Sequence, residues 1–495
     1  MHYFSSRRTF IKRLALGTGA LFAADLLIAD PYQPLPVIRP AGKPVKISGF
    51  VRSGKKGLAG IAVSDGSSVA VTNKDGAYTL VADSKQPFVF ITLPSGYLIP
   101  QNASGTANFY QPISTGDTQL ADWNLLPAPS ADTRHGFLVM ADPQTLDMED
   151  MRRFQQETAA DARQLLGTRT DLPWFNVACG DIMFDDLSLY PEYEKAVTAM
   201  GIPSFQVVGN HDLDFGNTDE LSVQTFRKYF GPNYYSFNRG EVHYVVLDDV
   251  FYHGNGYMGY VDQTQLEWLR ADLAQVEKGK TVVVFAHIPV YTRQFERDDQ
   301  RGPDNSVVIA NRQLLYRALE GYKAHLIAGH THFSERLTDG GISIHVAGAA
   351  CGAWWTGDIC YDGTPNGYAV YEVNGSNFIS SYKSTGKPLD HQMRIYQPGS
   401  DRKAPGELVA NVWDADDSWQ VFWYEDGMKK GKMARRIGAD PLSVELHTGN
   451  QLPKKHPWVD PEKTGHLYYA PVSTEAKTVM VEAVNAEGKV FTTRL

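Results

Sequence analysis

Cysteine is scarce in this chain: three residues in 495, too few for the disulfide framework that holds small secreted domains together. Positive charge is not in excess either. The formal charge is −9, which speaks against a nucleic-acid binder, because that class carries a basic face. Beyond the first thirty residues no apolar run approaches the ~20 residues that cross a bilayer. No internal repeat or low-complexity tract is visible, so a repeat array is excluded. What is present is a globular composition, 43% hydrophobic and 21% charged, in a chain long enough for two to four domains.

The three thiols differ in setting. Cys179 lies inside an apolar run and reads as a small buried hydrophobe. Cys351 and Cys360 share a Gly- and Trp-rich loop. They pair if the compartment is oxidising and otherwise remain free.

The beginning of the chain reads as an address. Ser6-Arg7-Arg8-Thr9-Phe10-Ile11-Lys12 precedes a weakly apolar stretch, LALGTGALFAADLLIA. A basic start, a short apolar centre and small residues mark an export signal, and the paired arginines make it twin-arginine in type. Residues 1–30 are therefore expected to be a signal peptide. The protein is expected to be periplasmic or extracellular, with no membrane-spanning segment in the mature chain. A Pro-rich linker is predicted over 31–44.

Short alternating runs then predict a β-sandwich-like domain over 45–127, with a hairpin at Asp75-Gly76. Over 128–397 strands alternate with helical patterns such as MEDMRRFQQETAADARQLLG and TQLEWLRADLAQVEKG, which predicts a layered α/β domain. YYSFNRGEVHYVVLD and GISIHVAG have hairpin-like spacing, so part of that sheet should be antiparallel. From 404 to 495 the alternation returns and predicts a second β-domain, with Trp413, Trp419 and Trp423 in its core.

Within the α/β region five apolar runs each end on a possible metal ligand. FLVMA leads to Asp142-Pro143-Gln144, WFNVAC to Gly180-Asp181, and FQVV to Gly209-Asn210-His211-Asp212. TVVVFA leads to His287, and HLIA to Gly329-His330-Thr331-His332. Short continuous apolar runs read as strands buried on both faces. Ligands of α/β sheets gather beyond the carboxyl ends of such strands. Carboxylate, amide and imidazole groups at one rim are the composition of a two-metal hydrolytic site. Any one of these Asp or Asn residues alone would read as turn chemistry.

The ordered set D-x-Q, GD, GNHD, a lone His after a β run, and GHTH resembles the calcineurin-like metallophosphoesterase superfamily. The arrangement of β-domain, phosphoesterase and β-domain looks like a group of exported bacterial phosphohydrolases, and CGAWWTGDICYDGTPNGY looks like a loop of that group. The resemblance implies a four-layer α/β/β/α core and two divalent metal ions, Mn, Fe, Zn or Mg. By motif position one ion would take Asp142, Gln144, Asp181 and His332. The other would take Asp181, Asn210, His287 and His330, so that Asp181 bridges. His211 would stand beside the phosphate, and Asp212 would orient its imidazole. The superfamily's usual first motif is Asp-x-His, so Gln144 is a departure that tilts that site towards Mn or Mg.

The implied reaction is attack of a hydroxide held by both metals on a phosphoric ester of a small molecule, lipid or protein. No nucleic-acid partner is expected. Two other readings stay open: a degenerate site in a glycan- or envelope-binding module, and hydrolysis of a pyrophosphate bond. Trp354 and Trp355 read equally as packing or as a substrate platform. Asp185 and Asp186 read as capping or solvated groups. His253 is expected to border the site, while His135, His325, His345, His456 and His466 read as structural or surface groups.

Overall fold

The computed structural model describes residues 42–297 and 304–495. The twin-arginine segment and most of the expected linker lie outside the described residues, and the first strand begins at Pro44.

Two sheets make the centre of the molecule. The first runs in the order Ser204–Val207, Trp174–Cys179, Arg134–Met140, Gly367–Asn374, Asn377–Ser384. The second runs Tyr235–Arg239, Val242–Val246, Thr281–Phe285, Lys323–Ala328, Ile342–Val346, Glu335–Asp339. Ser204–Val207, Trp174–Cys179 and Arg134–Met140 run parallel, as do Val242–Val246, Thr281–Phe285, Lys323–Ala328 and Ile342–Val346, whereas Gly367–Asn374 pairs antiparallel with Arg134–Met140. Trp174–Cys179 and Thr281–Phe285 are buried at every position, as strands covered on both faces must be. YYSFNRGEVHYVVLD is an antiparallel pair at one edge of the second sheet, and GISIHVAG holds the strand that pairs antiparallel with Glu335–Asp339 at the other.

Aromatic rings fill the space between the sheets. Phe205 stacks on Phe237 at 4.0 Å, and Phe175 and Phe137 meet Phe237 and Phe285 edge-on. Behind the first sheet, Leu138, Met140 and Ala178 pack with Met151, Phe154 and Tyr193 of the helices. Leu266 and Leu269 of helix Gln263–Leu273 and Leu315 of helix Arg312–Leu319 join the second sheet. The result is an α/β/β/α core. The long amphipathic pattern after the first motif is helical from Met148 to Gly167, but its middle, Phe154–Ala159, is a π-helix.

The region before the core is all β. Asp75-Gly76 does form a tight turn, with Gly76 N donating to Asn73 O at 2.9 Å. Its flanking strands do not pair, however, so the expected hairpin is corrected. Ala77–Asp83 instead forms a seven-residue ladder with Pro44–Ser53, while Val69–Val71 pairs with Ala62–Ser64. The longer alternating partner offers more cross-strand pairs than the short one. The region after the core holds two four-stranded sheets with their own apolar cluster. It also holds a helix, Pro441–His447, capped by Asp440, that the alternation did not suggest. Among the described residues no helix is long and apolar enough to cross a membrane.

Candidate metal centre

Each strand end delivers its polar group to one place. His330 N donates to both oxygens of Asp142, at 3.0 and 2.9 Å, and Nε2 of His332 lies 3.6 Å from Oδ1 of Asp142. Gln144 Nε2 donates to Oδ2 of Asp181 at 3.3 Å. Nε2 of His287 is 3.2 Å from Oδ1 of Asp181, 3.1 Å from Oδ1 of Asn210 and 3.1 Å from Nδ1 of His330. The seven residues singled out as metal ligands are thus joined in one cluster, and all but His330 are buried.

The imidazoles reveal what the cluster can hold. Nδ1 of His287 meets the Cys179 carbonyl at 2.9 Å, Nε2 of His330 meets that of Ser306 at 2.8 Å, and Nδ1 of His332 meets that of Gly352 at 2.6 Å. A carbonyl only accepts, so each ring spends one N–H there, and as a neutral imidazole it carries a lone pair on its other nitrogen. In that neutral form the lone pairs turn towards Asp142, Asp181 and Asn210, and those of His287 and His330 face each other. Oε1 of Gln144 is also buried without a hydrogen-bond partner. Acceptors gathered this closely repel unless positive charge lies among them. Asp181, His287 and His330 each place a ligand atom within 4.8 Å of the others. Rings fixed through one nitrogen on a carbonyl are the usual support of a metal-binding histidine. The donor set fits divalent cations, and its oxygen and nitrogen content suits Mn, Fe, Zn or Mg.

The electrostatics agree. Burial alone would lower the pKa of His287, but the charges of Asp181 and Asp142 lift it to about 10. Burial would raise Asp181, yet His287 and His211 hold it well below the usual carboxylate range. Asp142 goes the other way, pushed well above that range by burial that His287 only partly offsets. The attraction that holds a proton in this cluster is the attraction a divalent cation would meet.

Backbone geometry is bent to make these contacts. Asp142, Gln144, Asp181, His330 and His332 all have positive φ, between 36° and 69°, a region that costs an L-residue energy. Two glycines of the motifs are required by close approach. A Cβ on Gly180, itself at φ 79°, would lie 2.3 Å from Nδ1 of His287, and one on Gly329 would lie 2.5 Å from Oδ2 of Asp142.

His211 stands at the edge of the cluster, its backbone N donating to Asp181 Oδ1 at 2.9 Å. Its ring is not oriented by Asp212, and that expectation is corrected. Asp212 takes the backbone N–H groups of Ile182, Met183 and Gly209 and the hydroxyl of Tyr190. It therefore ties two motif loops together from below. Asp185 accepts from Nδ1 of His211 at 2.7 Å, so it is more than a solvated group. Burial works against a charged His211, but Asp181 and Asp185 outweigh it and raise its pKa. Asp249 also went unforeseen. It is fully buried and accepts from the N–H groups of His287 and Ile288, at 2.9 Å each. A carboxylate just beyond the run HYVVLD was the available signal.

Cys351 and Cys360 are buried free thiols. His253 is exposed, and it is Tyr257 of its loop whose ring meets His330 edge-on at 5.8 Å. Trp354 stacks on His332 at 4.3 Å and Trp355 donates to the Pro143 carbonyl at 3.0 Å. Both are buried, so packing describes them.

Three sequence-family models match the chain: the N terminal of calcineurin-like phosphoesterase over residues 45–127, calcineurin-like phosphoesterase over 135–334, and the C terminal of calcineurin-like phosphoesterase over 344–491. Serine/threonine-protein phosphatase CPPED1 of Homo sapiens is 29% identical over 149 residues, which are 28% of this chain and 47% of that protein. Purple acid phosphatase 23 of Arabidopsis thaliana is 26% identical over 192 residues, 32% of this chain and 37% of that protein. The matched regions span about half or less of these curated relatives' length. Among solved structures, a dimetal phosphatase from Danio rerio aligns over 50% of this chain and 96% of its own, at 15% identity and a TM-score of 0.35.

Proposed function

Because the chain belongs to the calcineurin-like phosphoesterases, we propose that it is an exported hydrolase of phosphoric esters that works with two divalent metal ions. The observation that carries this reading is the convergence of lone pairs from His287, His330 and His332 on Asp142, Asp181 and Asn210, with the second nitrogen of each ring spent on a carbonyl. One ion would be held by Asp142, Gln144, Asp181 and His332, the other by Asp181, Asn210, His287 and His330. Bound there, two such ions would supply the positive charge that draws phosphoryl oxygens and eases the loss of a proton from water.

The chain's own groups have separate tasks. Asp185 fixes the His211 ring through Nδ1, which leaves Nε2 to hand a proton to the departing ester oxygen. Water oxygen bonds phosphorus as the ester oxygen leaves. Asp212 and Asp249 act through backbone: they clamp the loops that carry Asp181, Asn210 and His287. Trp354 backs the His332 ring and fixes its plane. Gln144 enters as an amide ligand, and its orphaned Oε1 supports a working site over a degenerate one.

The test is turnover of an aryl phosphate and a bis-aryl phosphate by the purified full chain loaded with Mn, Fe, Zn or Mg. Hydrolysis of either supports the reading, and the ratio of rates assigns monoester or diester preference. No turnover with any metal overturns it. Export rests on Arg7-Arg8 and the apolar stretch behind them. An Arg7→Lys, Arg8→Lys double variant should accumulate inside the cell, and export at the native rate would remove the twin-arginine assignment.

A further inference from the structure

An unbroken series of ring contacts runs from His211 to His332. His211 stacks on Phe184 at 4.6 Å, and Phe184 meets His456 at 5.2 Å. His456 meets Trp458 at 5.5 Å, Trp458 meets Trp354 at 4.7 Å, and Trp354 stacks on His332 at 4.3 Å. His332 belongs to the candidate metal cluster, and His211 stands at its edge. The two middle members of the arc come from the C-terminal β-region, more than a hundred residues further along the chain. The covered end, His332 and Trp354, is buried, whereas Phe184, His456 and Trp458 are half-buried.

The segment that carries His456 and Trp458 is anchored on both sides of the rings. Lys455 Nζ lies 2.7 Å from Oδ1 of the buried Asp150 and 3.0 Å from Oδ2 of Asp147, at the start of the helix that follows the first metal motif. Val459 is buried among Phe333, Ala353, Trp354 and Tyr361. Between these anchors His456 is held at φ 48°, a strained backbone that the surroundings must impose. Rings fixed in this way need little further ordering when a ligand lies on them.

We propose that His456 and Trp458, with Phe184, form the wall on which the leaving group of the substrate lies, and that this wall selects phosphoesters whose leaving group carries a flat ring. A flat ring gains offset stacking or edge contacts over and above the burial that any apolar group of its size would obtain. The proposal rests on the phosphoester reading, since the arc borders the substrate only if the phosphoryl group is seated at the Asp142–Asp181 cluster.

Binding of hydrolysis-proof ligands separates the two ideas. Calorimetry on the Mn-loaded full chain should show benzylphosphonate binding about two- to tenfold tighter than cyclohexylmethylphosphonate. Trp458→Leu and His456→Leu should each bring that ratio towards one, with metal content at the native level. A ratio is unaffected by the fraction of protein that is folded. Equal binding of the two ligands, no binding of either, or an unchanged ratio in both variants overturns the proposal. Benzyl preference without turnover of any aryl or bis-aryl phosphate upholds the rings as a ligand wall and removes the phosphoesterase reading. Turnover with equal phosphonate binding does the reverse.

Discussion

On the N-terminal side of the core, Phe90 meets Trp268 at 6.2 Å, and Phe109 meets Phe205 and Tyr235 at 6.1 and 4.5 Å. Val89, Ile91 and Leu93 belong to the same apolar cluster as the facing sheets. On the C-terminal side the β-region keeps a separate apolar cluster, and charge does much of the joining. Arg336 grips both oxygens of Asp414 at 2.6 and 3.2 Å, His466 meets Asp362 at 3.1 Å, and Lys455 meets Asp150 at 2.7 Å. An apolar joint is roughly proportional to area and tolerant of direction. A bidentate ion pair fixes orientation and adds little net stability. The first flank is therefore a load on folding, and the second is a positioning device that carries His456 and Trp458 to the rim of the site.

The comparison needs a centre that neither flank builds, and the largest effect should come from there. Asp181→Asn should lower bound metal and phosphoesterase activity by more than about 100-fold, beyond the cost of losing an outer partner of a ligand. Elemental analysis and steady-state rates check it. Native metal content in that variant would dissolve the shared bridge.

Next in size is the N-terminal joint. Phe109 is 2% exposed, and Phe109→Ala should cost about 3–5 kcal/mol of stability while the specific activity of the remaining native protein stays unchanged. Denaturant unfolding alongside active-site titration checks both halves. A selectivity change in place of a stability loss would make the two flanks equivalent.

Acid should also strike the two joints at different pH. His135 lies beside Asp132 and Arg239, with its ring on the Asp132 carbonyl and the Tyr244 hydroxyl, and burial lowers its pKa to about 4. Its unfolded value is near 6.5. The unfolded chain thus binds the extra proton first, and stability contributed by neutral His135 falls as pH drops from about 6.5 to 4, by at most about 3 kcal/mol. On the C-terminal side Asp362, with His466 against burial, has a depressed pKa. Its contribution is retained until pH falls below the usual carboxylate value. His135→Gln should flatten the melting-temperature profile between pH 6.5 and 4, and an unaltered profile would remove this assignment.

These contrasts show where sequence reading works. Strand ends were legible because runs such as WFNVAC and TVVVF have no polar face, and the glycines before the candidate ligands Asp181, Asn210 and His330 mark a backbone with no room for Cβ. The antiparallel edges were legible from turn spacing. Asp212 was misassigned because adjacency along the chain was taken for adjacency in space: the loop turns its carboxylate down onto backbone amides, and Asp185 reaches the ring instead. His456 gave no signal at all, since a histidine between two prolines in a β-patterned region becomes a neighbour of His211 only through ion pairs that long-range folding creates. Strain was equally invisible. Among the described residues ten non-glycine positions have positive φ, and all but Asp426 lie in the metal cluster, its adjoining loops or the ring arc. Local preference would have denied those conformations, and it is there that tertiary contacts override it.

The smallest expected effect probes the anchor. Lys455→Ala removes the link to Asp147 and Asp150 but leaves Asp150 its hydrogen bond from Leu146 N and opens it to water. Global stability should fall by only about 1 kcal/mol, as for a partly exposed pair. The local result should be larger than the global one. Without the anchor nothing ionic holds this segment to the helix start, so amide exchange across 452–460 should quicken while that across 45–127 stays as it was. The preference for benzylphosphonate should weaken in step, because loosened rings must be ordered again by the ligand. If exchange quickens and the preference holds, Val459 and the stacked Trp354 are enough to place the rings, and the C-terminal flank positions the wall through packing after all.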